Sequence, residues 1–153
     1  MILPKVIKFL DHFKLNDNAK FGSSLFKTST VQSEIPGYPY PQIIFNTYIH
    51  SSFSNNYGFL HRGALCTIVD VLPALHIWSL DLSGKLTMTV SLSTSICKEI
   101  IIEKDLKILS SIQNIGKSLV YASTMLEQDG VYAGSTQQIY ALVENRIEEF
   151  YKF

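Results

Sequence analysis

The sequence is poor in cysteine, balanced in charge and free of glycosylation sequons. Its two cysteines, Cys66 and Cys97, belong to no C-x-x-C pair, which argues against a disulfide scaffold and a structural zinc site. Thirteen basic and thirteen acidic residues cancel, so no global field attracts nucleic acid or an anionic membrane. We expect a cytoplasmic protein that uses neither a metal nor a redox cofactor.

The length of 153 residues fits one domain around one core. We divide it into an N-terminal helix and linker over residues 1–20, a main body, and a tail over residues 144–153. A mean hydropathy of +0.15 and an apolar content of 46% are high for a small soluble protein. This composition favours an oligomer in which further apolar surface is buried between subunits. We therefore expect a homodimer or homotetramer.

Two apolar segments resemble membrane-spanning or targeting segments at first sight. Residues 63–80 match the shortest spanning helix, but Asp70 would cost roughly 3 kcal/mol in a bilayer and Pro73 would remove a helix hydrogen bond. We therefore predict a buried helix and no membrane span. The N-terminal segment is amphipathic and lacks a long apolar region, which predicts a docking helix. A mitochondrial presequence stays open, although Asp11 and the absence of arginine there count against it.

Alternating segments predict a sheet. Residues 86–93 alternate strictly between apolar and hydroxyl side chains, which predicts a strand with one buried face. Further strands are predicted over residues 43–50, 106–112, 118–127 and 131–142, with a weaker first strand over residues 25–31. The resulting order is a helix, two strands, a long helix and four strands. It predicts an α+β fold in which an antiparallel sheet wraps around a long central helix.

The long helix has two apolar sides. One stripe contains Leu65, Ile68 and Leu72, and a second flank with Asp70 and Pro73 lies roughly 120° away. The first side can pack on the chain's own sheet, and the second is expected to meet another subunit. His61 and Asp70 lie on the order of 13 Å apart along a helix. If both act on one carbonyl, Asp70 must come from a two-fold mate.

A polar turn with two asparagines precedes this helix and runs through Gly58 to His61, Arg62 and Gly63. A helix start offers unpaired N–H groups that can hold an oxyanion, and Asp70 supplies an acid nearby in sequence. The pattern resembles the Asn…Gly-x-Leu-His-Gly-Gly…Asp signature of hotdog-fold acyl-CoA thioesterases, in particular the phenylacetyl-CoA thioesterase-like branch. The resemblance implies active sites between subunits, an acyl-CoA substrate and a hydrolase of fatty-acid metabolism.

The resemblance also implies roles for single residues. Asp70 would be the general base for water or the nucleophile, and His61 would polarise the carbonyl. Asn55, with Asn56 as its rival, would orient the thioester, the backbone of Arg62 and Gly63 would hold the oxyanion, and Thr87 would bond to the acid or the water. Each residue also has a structural alternative: a turn former, a helix-terminal histidine, a solvated acid, or a β-favouring threonine.

One position departs from the family pattern. Arg62 stands where the family has the first of two glycines. Its backbone N–H can still hold an oxyanion, but its side chain must point away from the pocket or meet a phosphate or carboxylate there. This is compatible with a tolerated change, an altered substrate, a weak enzyme, or a protein that binds acyl-CoA without turnover.

A hairpin lysine, Lys117, either meets the phosphates of coenzyme A or is a solvated turn residue. Ser111 stands where a phosphate-binding loop would need its first glycine, so that motif is excluded. The sequence predicts an acyl-CoA thioesterase. A catalytically silent acyl-CoA or lipid-binding protein is the alternative, and a dehydratase is the rival within the fold.

Overall fold

The computed structural model describes residues 1–15, 23–80, 82 and 85–146. Its helices are α1 (Leu3–Leu15), α2 (Ser23–Lys27) and α3 (Arg62–Ser79), with a 3-10 turn at Ser51–Phe53. Its strands are β1 (Ser29–Ile35), β2 (Gln42–Ile49), β3 (Lys85–Ile96), β4 (Lys104–Ile115), β5 (Leu119–Gln128) and β6 (Val131–Arg146). No helix in these described ranges is long and apolar enough to cross a bilayer.

The six strands form one antiparallel sheet in the order β1-β2-β4-β5-β6-β3. The inward side chains of the sheet pack against α3, whose Leu65, Ile68 and Leu72 are almost fully buried. The predicted architecture, one antiparallel sheet around one long helix, is confirmed. Strand β3 lies at an edge of the sheet because it pairs only with β6 among the described strands.

The N-terminal helix docks on this layer, as the amphipathic pattern predicted. Val6 and Leu10 of α1 are buried, and the rings of Phe9 and Phe13 each lie 6.0 Å from the ring of Trp78 on α3. Glu34 on β1 fixes the start of α1, since its carboxylate accepts the N–H groups of Ile2 and Leu3. A carboxylate at this position satisfies orphan donors and complements the helix dipole.

The prediction of a first strand over residues 25–31 is wrong at its start. Leu25 and Phe26 lie in α2 and are both buried, and the strand begins only at Ser29. The hydroxyls of Thr28 and Ser29 donate to the Leu25 carbonyl at 2.9 and 3.1 Å. These hydroxyls supply hydrogen-bond donors to a carbonyl in the last turn of α2. They thereby stabilise a helical turn at the two neighbouring buried residues.

The chain end also differs from expectation in one respect. Strand β6 runs on to Arg146, so the first three residues of the predicted tail continue a strand. Residues 147–153 of that tail and residues 16–20 of the predicted N-terminal helix and linker lie outside the described residues. The turn before β6 agrees with its sequence. Asp129 and Gly130 have φ values of 54° and 74°, which a two-residue hairpin of this twist requires.

Two buried faces differ from expectation. The second flank of α3 is covered within the chain at Pro73 and Ile77, which are buried, but Cys66 and Asp70 on the same flank stay partly exposed. The alternating face of β3, by contrast, is not covered, because Met88 and Val90 are each 62% exposed. A register shift between Thr89 and Ser91 exchanges the faces of β3, so that Leu92 packs on the core instead.

Candidate functional site at the first turn and middle of α3

The loop before α3 is shaped by Asn55. Its side-chain oxygen accepts the N–H groups of Tyr57 and Phe59 at 2.9 and 3.1 Å, and its backbone pairs with Phe59 and Gly58. Gly58 has a φ of 81°, which a side chain would strain. The Asn55 oxygen is therefore used to hold the turn, whereas Asn56 is exposed at the tip.

His61 caps α3. Its backbone is extended at φ −62° and ψ 133°, and its Nδ1 accepts the N–H of Gly63 at 3.0 Å. Because an N–H can only donate, this bond places the proton of a neutral imidazole on Nε2. The exposed Nε2–H is then free to donate to a carbonyl oxygen placed beside the helix start.

Gly63 avoids crowding at this cap. A Cβ at this position would lie 3.1 Å from Nδ1 and 3.2 Å from Cε1 of His61, tighter than ordinary packing. The predicted oxyanion pair of Arg62 and Gly63 is thereby changed, since the Gly63 N–H is already bonded to His61. Among the described residues no acceptor is bonded to the N–H groups of Arg62 and Ala64, which lie at the open first turn.

The Arg62 side chain turns to the loop after β3. Its Nη2 donates to Glu99 Oε1 at 2.7 Å, and both side chains are about half exposed. An ion pair this exposed contributes about 0–1 kcal/mol to stability. The departure from the family pattern therefore places a guanidinium on a carboxylate of the same chain and leaves the Arg62 N–H available.

A cleft of about 340 Å³ opens beside this first turn. It lies between α2 and α3, and its lining is mostly apolar apart from hydroxyl groups and the imidazole. The lining residues are Ser24, Leu25, Phe53, His61, Gly63, Ala64 and Thr67. The cleft and the cap thus form one half of a candidate site, with an apolar pocket next to polar donors.

Asp70 forms the other half. It is half-buried in the middle of α3, and its Oδ1 accepts a hydrogen bond from Thr89 Oγ1 at 2.6 Å. In the described part of the chain its Oδ2 has no bonded donor. The carboxylate therefore has one oxygen fixed at the edge strand β3 and one oxygen that can accept a proton.

Thr87, which the sequence placed beside this acid, has a different partner. Its Oγ1 accepts the indole N–H of Trp78 at 3.0 Å, and Thr89 is the threonine that meets Asp70. Both threonines lie on the same face of β3, about 6.6 Å apart along the strand. Pairing with β6 sets which of the two reaches the acid, and that pairing is not encoded in the β3 sequence alone.

Sequence reasoning also missed two residues on β6. The hydroxyl of Tyr140 donates to the backbone carbonyl of Asp70 at 2.8 Å, and Gln138 Nε2 donates to the carbonyl of Val69 at 3.0 Å. Burial and the neighbouring Asp70 charge raise the pKa of Tyr140, so its hydroxyl stays protonated. The contacts span about 70 positions, and no local pattern signals them.

Lys117 does not join the cluster within one chain. It is exposed in the turn between β4 and β5, next to strand segments that contribute Ile112 and Val120 to the core around Ile77. Ile77 belongs to the last turn of α3, whereas His61 caps the first turn. The predicted contact of Lys117 with coenzyme A phosphates therefore stays a prediction. It requires a ligand or a second chain that extends along the length of α3.

The two halves of the site are also separated from each other. His61 and Asp70 are nine residues apart on one helix, on the order of 13 Å along its axis. Among the described residues no group of three His, Cys, Asp or Glu side chains could hold a metal ion. The chemistry available is therefore hydrogen-bond donation at the helix start and proton acceptance at Asp70.

Comparison with solved structures identifies the architecture. The chain is similar to zebrafish thioesterase superfamily member 2, with a TM-score of 0.79 and 19% identity over 94% of this chain and 99% of that one. It is also similar to the Escherichia coli PaaI protein from the phenylacetic acid degradation operon, with a TM-score of 0.73 and 11% identity over 95% and 99% of the two chains. The chain has the hotdog fold.

A third hotdog structure carries a ligand. A hypothetical thioesterase from Streptococcus pneumoniae, solved with coenzyme A, superposes with a TM-score of 0.68 and 20% identity over 79% of this chain and 93% of that one. No protein-family model and no curated protein matches the sequence. The fold expected from the sequence motif is confirmed, and the activity has to be argued from the hotdog chain's own residues.

Proposed function

We propose that the protein is an acyl-CoA thioesterase, which hydrolyses a thioester to a free acid and coenzyme A. The observation that carries this proposal is the first turn of α3, where His61, Gly63 and Ala64 line an apolar cleft of about 340 Å³ and, among the described residues, no acceptor is bonded to the Arg62 N–H or the His61 Nε2–H. A thioester carbonyl at this point gains two donors as its oxygen becomes negative. The similarity to thioesterase-superfamily structures, one of them solved with coenzyme A, supports the same chemistry.

The hydrolytic step needs a base. Asp70 accepts a proton from water through its unbonded oxygen, the water oxygen attacks the carbonyl carbon, and the carbon–sulfur bond then breaks. The sulfur leaves as the thiolate of coenzyme A and takes up a proton. Thr89 holds the other oxygen of the carboxylate, so that the unbonded oxygen keeps a fixed direction.

One chain cannot supply both halves to one carbonyl, because the helix separates His61 from Asp70 by on the order of 13 Å. We propose that the site is completed in a homodimer, with Asp70 of one copy facing the first turn of α3 in its partner. The edge position of β3, whose Thr89 bonds to Asp70, and the exposed side chains of Met88 and Val90 on the same strand support an interface at β3. Such an edge with apolar side chains is a ready surface for a second chain.

The alternative, an acyl-CoA-binding protein without turnover, is favoured by one observation. The side-chain oxygen of Asn55, the residue expected to orient the thioester, already accepts two N–H groups of its own loop. In this case coenzyme A derivatives would stabilise the protein against heat without thiol release.

The test uses Arg62→Pro beside Arg62→Ala. Proline is well tolerated at the first helical position, and the extended backbone of His61 suits the residue before a proline, so the change removes one N–H with little effect on the helix. Thiol release is measured from short, long and aromatic acyl-CoA substrates, after subtraction of the signal from Cys66 and Cys97. We expect kcat to fall roughly 10²- to 10³-fold for Arg62→Pro.

Arg62→Ala is the matched control, because it removes the side chain and keeps the N–H. It should lower kcat by less than about threefold, since only an exposed ion pair is lost. Equal losses in the two variants would transfer the role from the backbone to the guanidinium. Absence of turnover in the wild type, accompanied by ligand-dependent stabilisation, would reject hydrolysis in favour of the binding protein.

A further inference from the structure

Pro73 leaves a gap in the hydrogen bonding of α3 next to Asp70. Proline has no N–H, so the carbonyl of Val69, four residues earlier, has no helical donor. Gln138 on β6 supplies one, since its Nε2 donates to that carbonyl at 3.0 Å. Tyr140 donates to the next carbonyl, that of Asp70, at 2.8 Å. Two side chains of β6 thus bond to the helix backbone where proline interrupts it.

Both donors are buried. Gln138 and Tyr140 are each 1% exposed, a depth at which polar side chains need partners, and among the described residues Gln138 Oε1 is left without one. The Gln138 amide also donates to Thr136 Oγ1, and Thr136 in turn pairs with Thr124 on β5. The amide orientation is set by these acceptors, because the opposite orientation would place its oxygen against the Val69 carbonyl.

Tyr140 also connects Asp70 to the edge strand. Thr89 on β3 and Tyr140 on β6 are direct cross-strand partners. Thr89 donates to the Asp70 carboxylate and Tyr140 donates to the Asp70 backbone carbonyl. One pair of neighbouring sheet residues therefore holds the acid at both its side chain and its main chain.

We propose that Tyr140 and Gln138 are positioning residues for Asp70: Gln138 replaces the helix hydrogen bond that Pro73 removes, and Tyr140 adds a donor to the Asp70 carbonyl, so that the carboxylate keeps a fixed place beside Thr89. The inference rests on the proposed function for its catalytic consequence. Its structural content, that β6 fixes this part of the helix, does not depend on the reaction. Pro73 gives β6 its access, because an uninterrupted helix would satisfy the Val69 carbonyl internally.

The first test is Tyr140→Phe, which removes only the hydroxyl. A displacement of the base of about 1 Å lowers rates by roughly 10- to 100-fold, so we expect a loss of kcat in this range with KM unchanged within about twofold. In the Asp70→Asn background the same substitution should change kcat no further, since the residue that it positions is already gone. Additive losses in the two backgrounds would overturn the proposal.

Ser79→Ala is the matched control. Ser79 is buried on the same helix, nine residues beyond Asp70. Its hydroxyl donates to the His76 carbonyl at 2.6 Å. The variant loses a bond of the same type and should unfold at a lower temperature without a change in kcat. A kcat loss equal to that of Tyr140→Phe would mean that general destabilisation, rather than positioning, lowers the rate.

A second test uses the proline itself. In Pro73→Ala the new N–H can bond to the Val69 carbonyl, so Gln138→Met should then lower kcat less than it does in the Pro73 protein. We expect Gln138→Met to reduce kcat at least about fivefold in the parent and less than about twofold with Pro73→Ala. Equal effects in both backgrounds would contradict the assigned role.

Amide hydrogen exchange separates this inference from the proposed function. Tyr140→Phe should accelerate exchange over residues 70–77 and leave the first turn of α3 unchanged. This result would support the positioning role even if the wild type hydrolysed no acyl-CoA, an outcome that would reject only the thioesterase. Unchanged exchange over residues 70–77 would overturn the inference whatever the activity.

Discussion

At the first turn of α3 the polar groups available to a ligand are donors, namely backbone N–H groups and the Nε2–H of His61, whereas two and a half turns later the single acid of the helix offers an acceptor. The first turn is held by local contacts, because His61 bonds to Gly63 and Asn55 shapes the preceding loop. The middle is held by distant ones, since Asp70 depends on Thr89 and Tyr140.

The two regions supply complementary groups to the proposed site. The helix start provides donors without committing a charge, and the centre provides an acceptor fixed to an edge strand. Because one rigid helix keeps them on the order of 13 Å apart, the two halves suit a site built from two copies of the chain.

The largest effect is expected for Asp70→Asn. The variant keeps the hydrogen bond to Thr89 but removes the base, so kcat should fall roughly 10²- to 10⁴-fold. Thermal unfolding should change little, because Asn is nearly isosteric with Asp. The measurement is thiol release at saturating acyl-CoA.

Glu99→Gln is the control for this change, since it replaces a carboxylate by an amide at the first turn. Glu99 pairs with Arg62 at the surface, and its loss should alter kcat by less than about twofold. If Glu99→Gln were as harmful as Asp70→Asn, the carboxylate that matters would lie at the helix start.

The next effect concerns stability and the buried histidine of α3. His76 is fully buried against Ser110, and desolvation lowers its pKa from 6.5 to about 4, opposed by the nearby Pro41 carbonyl and Glu34. Folding therefore favours the neutral ring. His76 therefore makes its full contribution to the free energy of unfolding above pH 6.5. This contribution falls by about 3 kcal/mol in total as the pH drops from 6.5 towards 4.

The measurement is denaturant unfolding at several pH values for the wild type and His76→Asn. The asparagine amide can bond to Ser110 and does not titrate, so the difference between the two proteins isolates the histidine. We expect the wild type to lose more stability than the variant between pH 6.5 and 4. Parallel losses would show that folding does not lower the pKa of His76.

The smallest effect compares two threonines of β3. Thr89→Val removes the bond to Asp70 and should lower kcat about tenfold, because a hydrogen bond to a charged group is lost. Thr87→Val removes the acceptor of the Trp78 indole and should reduce stability by about 1 kcal/mol at unchanged kcat. The reverse pattern would restore the role that the sequence assigned to Thr87.

Most of the fold followed from local patterns. The helix of residues 63–80, the hairpin at Asp129 and Gly130, and the order of elements all depend on short-range periodicity and turn chemistry. The helical turn at Leu25 escaped prediction because Thr28 and Ser29 act as caps, which an alternating pattern conceals. The open face of β3 escaped because alternation tells which residues share a face, not what covers it.

The site was predictable only in its local half. The cap at His61 and the small residue at Gly63 lie within three positions of each other, so the motif locates them. The partners of Asp70 depend on the register between β3 and β6 and on contacts about 70 positions apart. This explains why Thr87 was chosen over Thr89 and why Tyr140 and Gln138 were missed.

Subunit complementation shows whether His61 and Asp70 of different chains form one site. Inactive His61→Ala and Asp70→Asn chains are mixed, unfolded together and refolded, and thiol release is compared with that of each variant refolded alone. Random pairing in a dimer with shared sites should restore about a quarter of wild-type activity, because half of the dimers are mixed and each holds one intact site. We expect recovery of that size, and a mixture as inactive as its parts would rule out a site built from two chains.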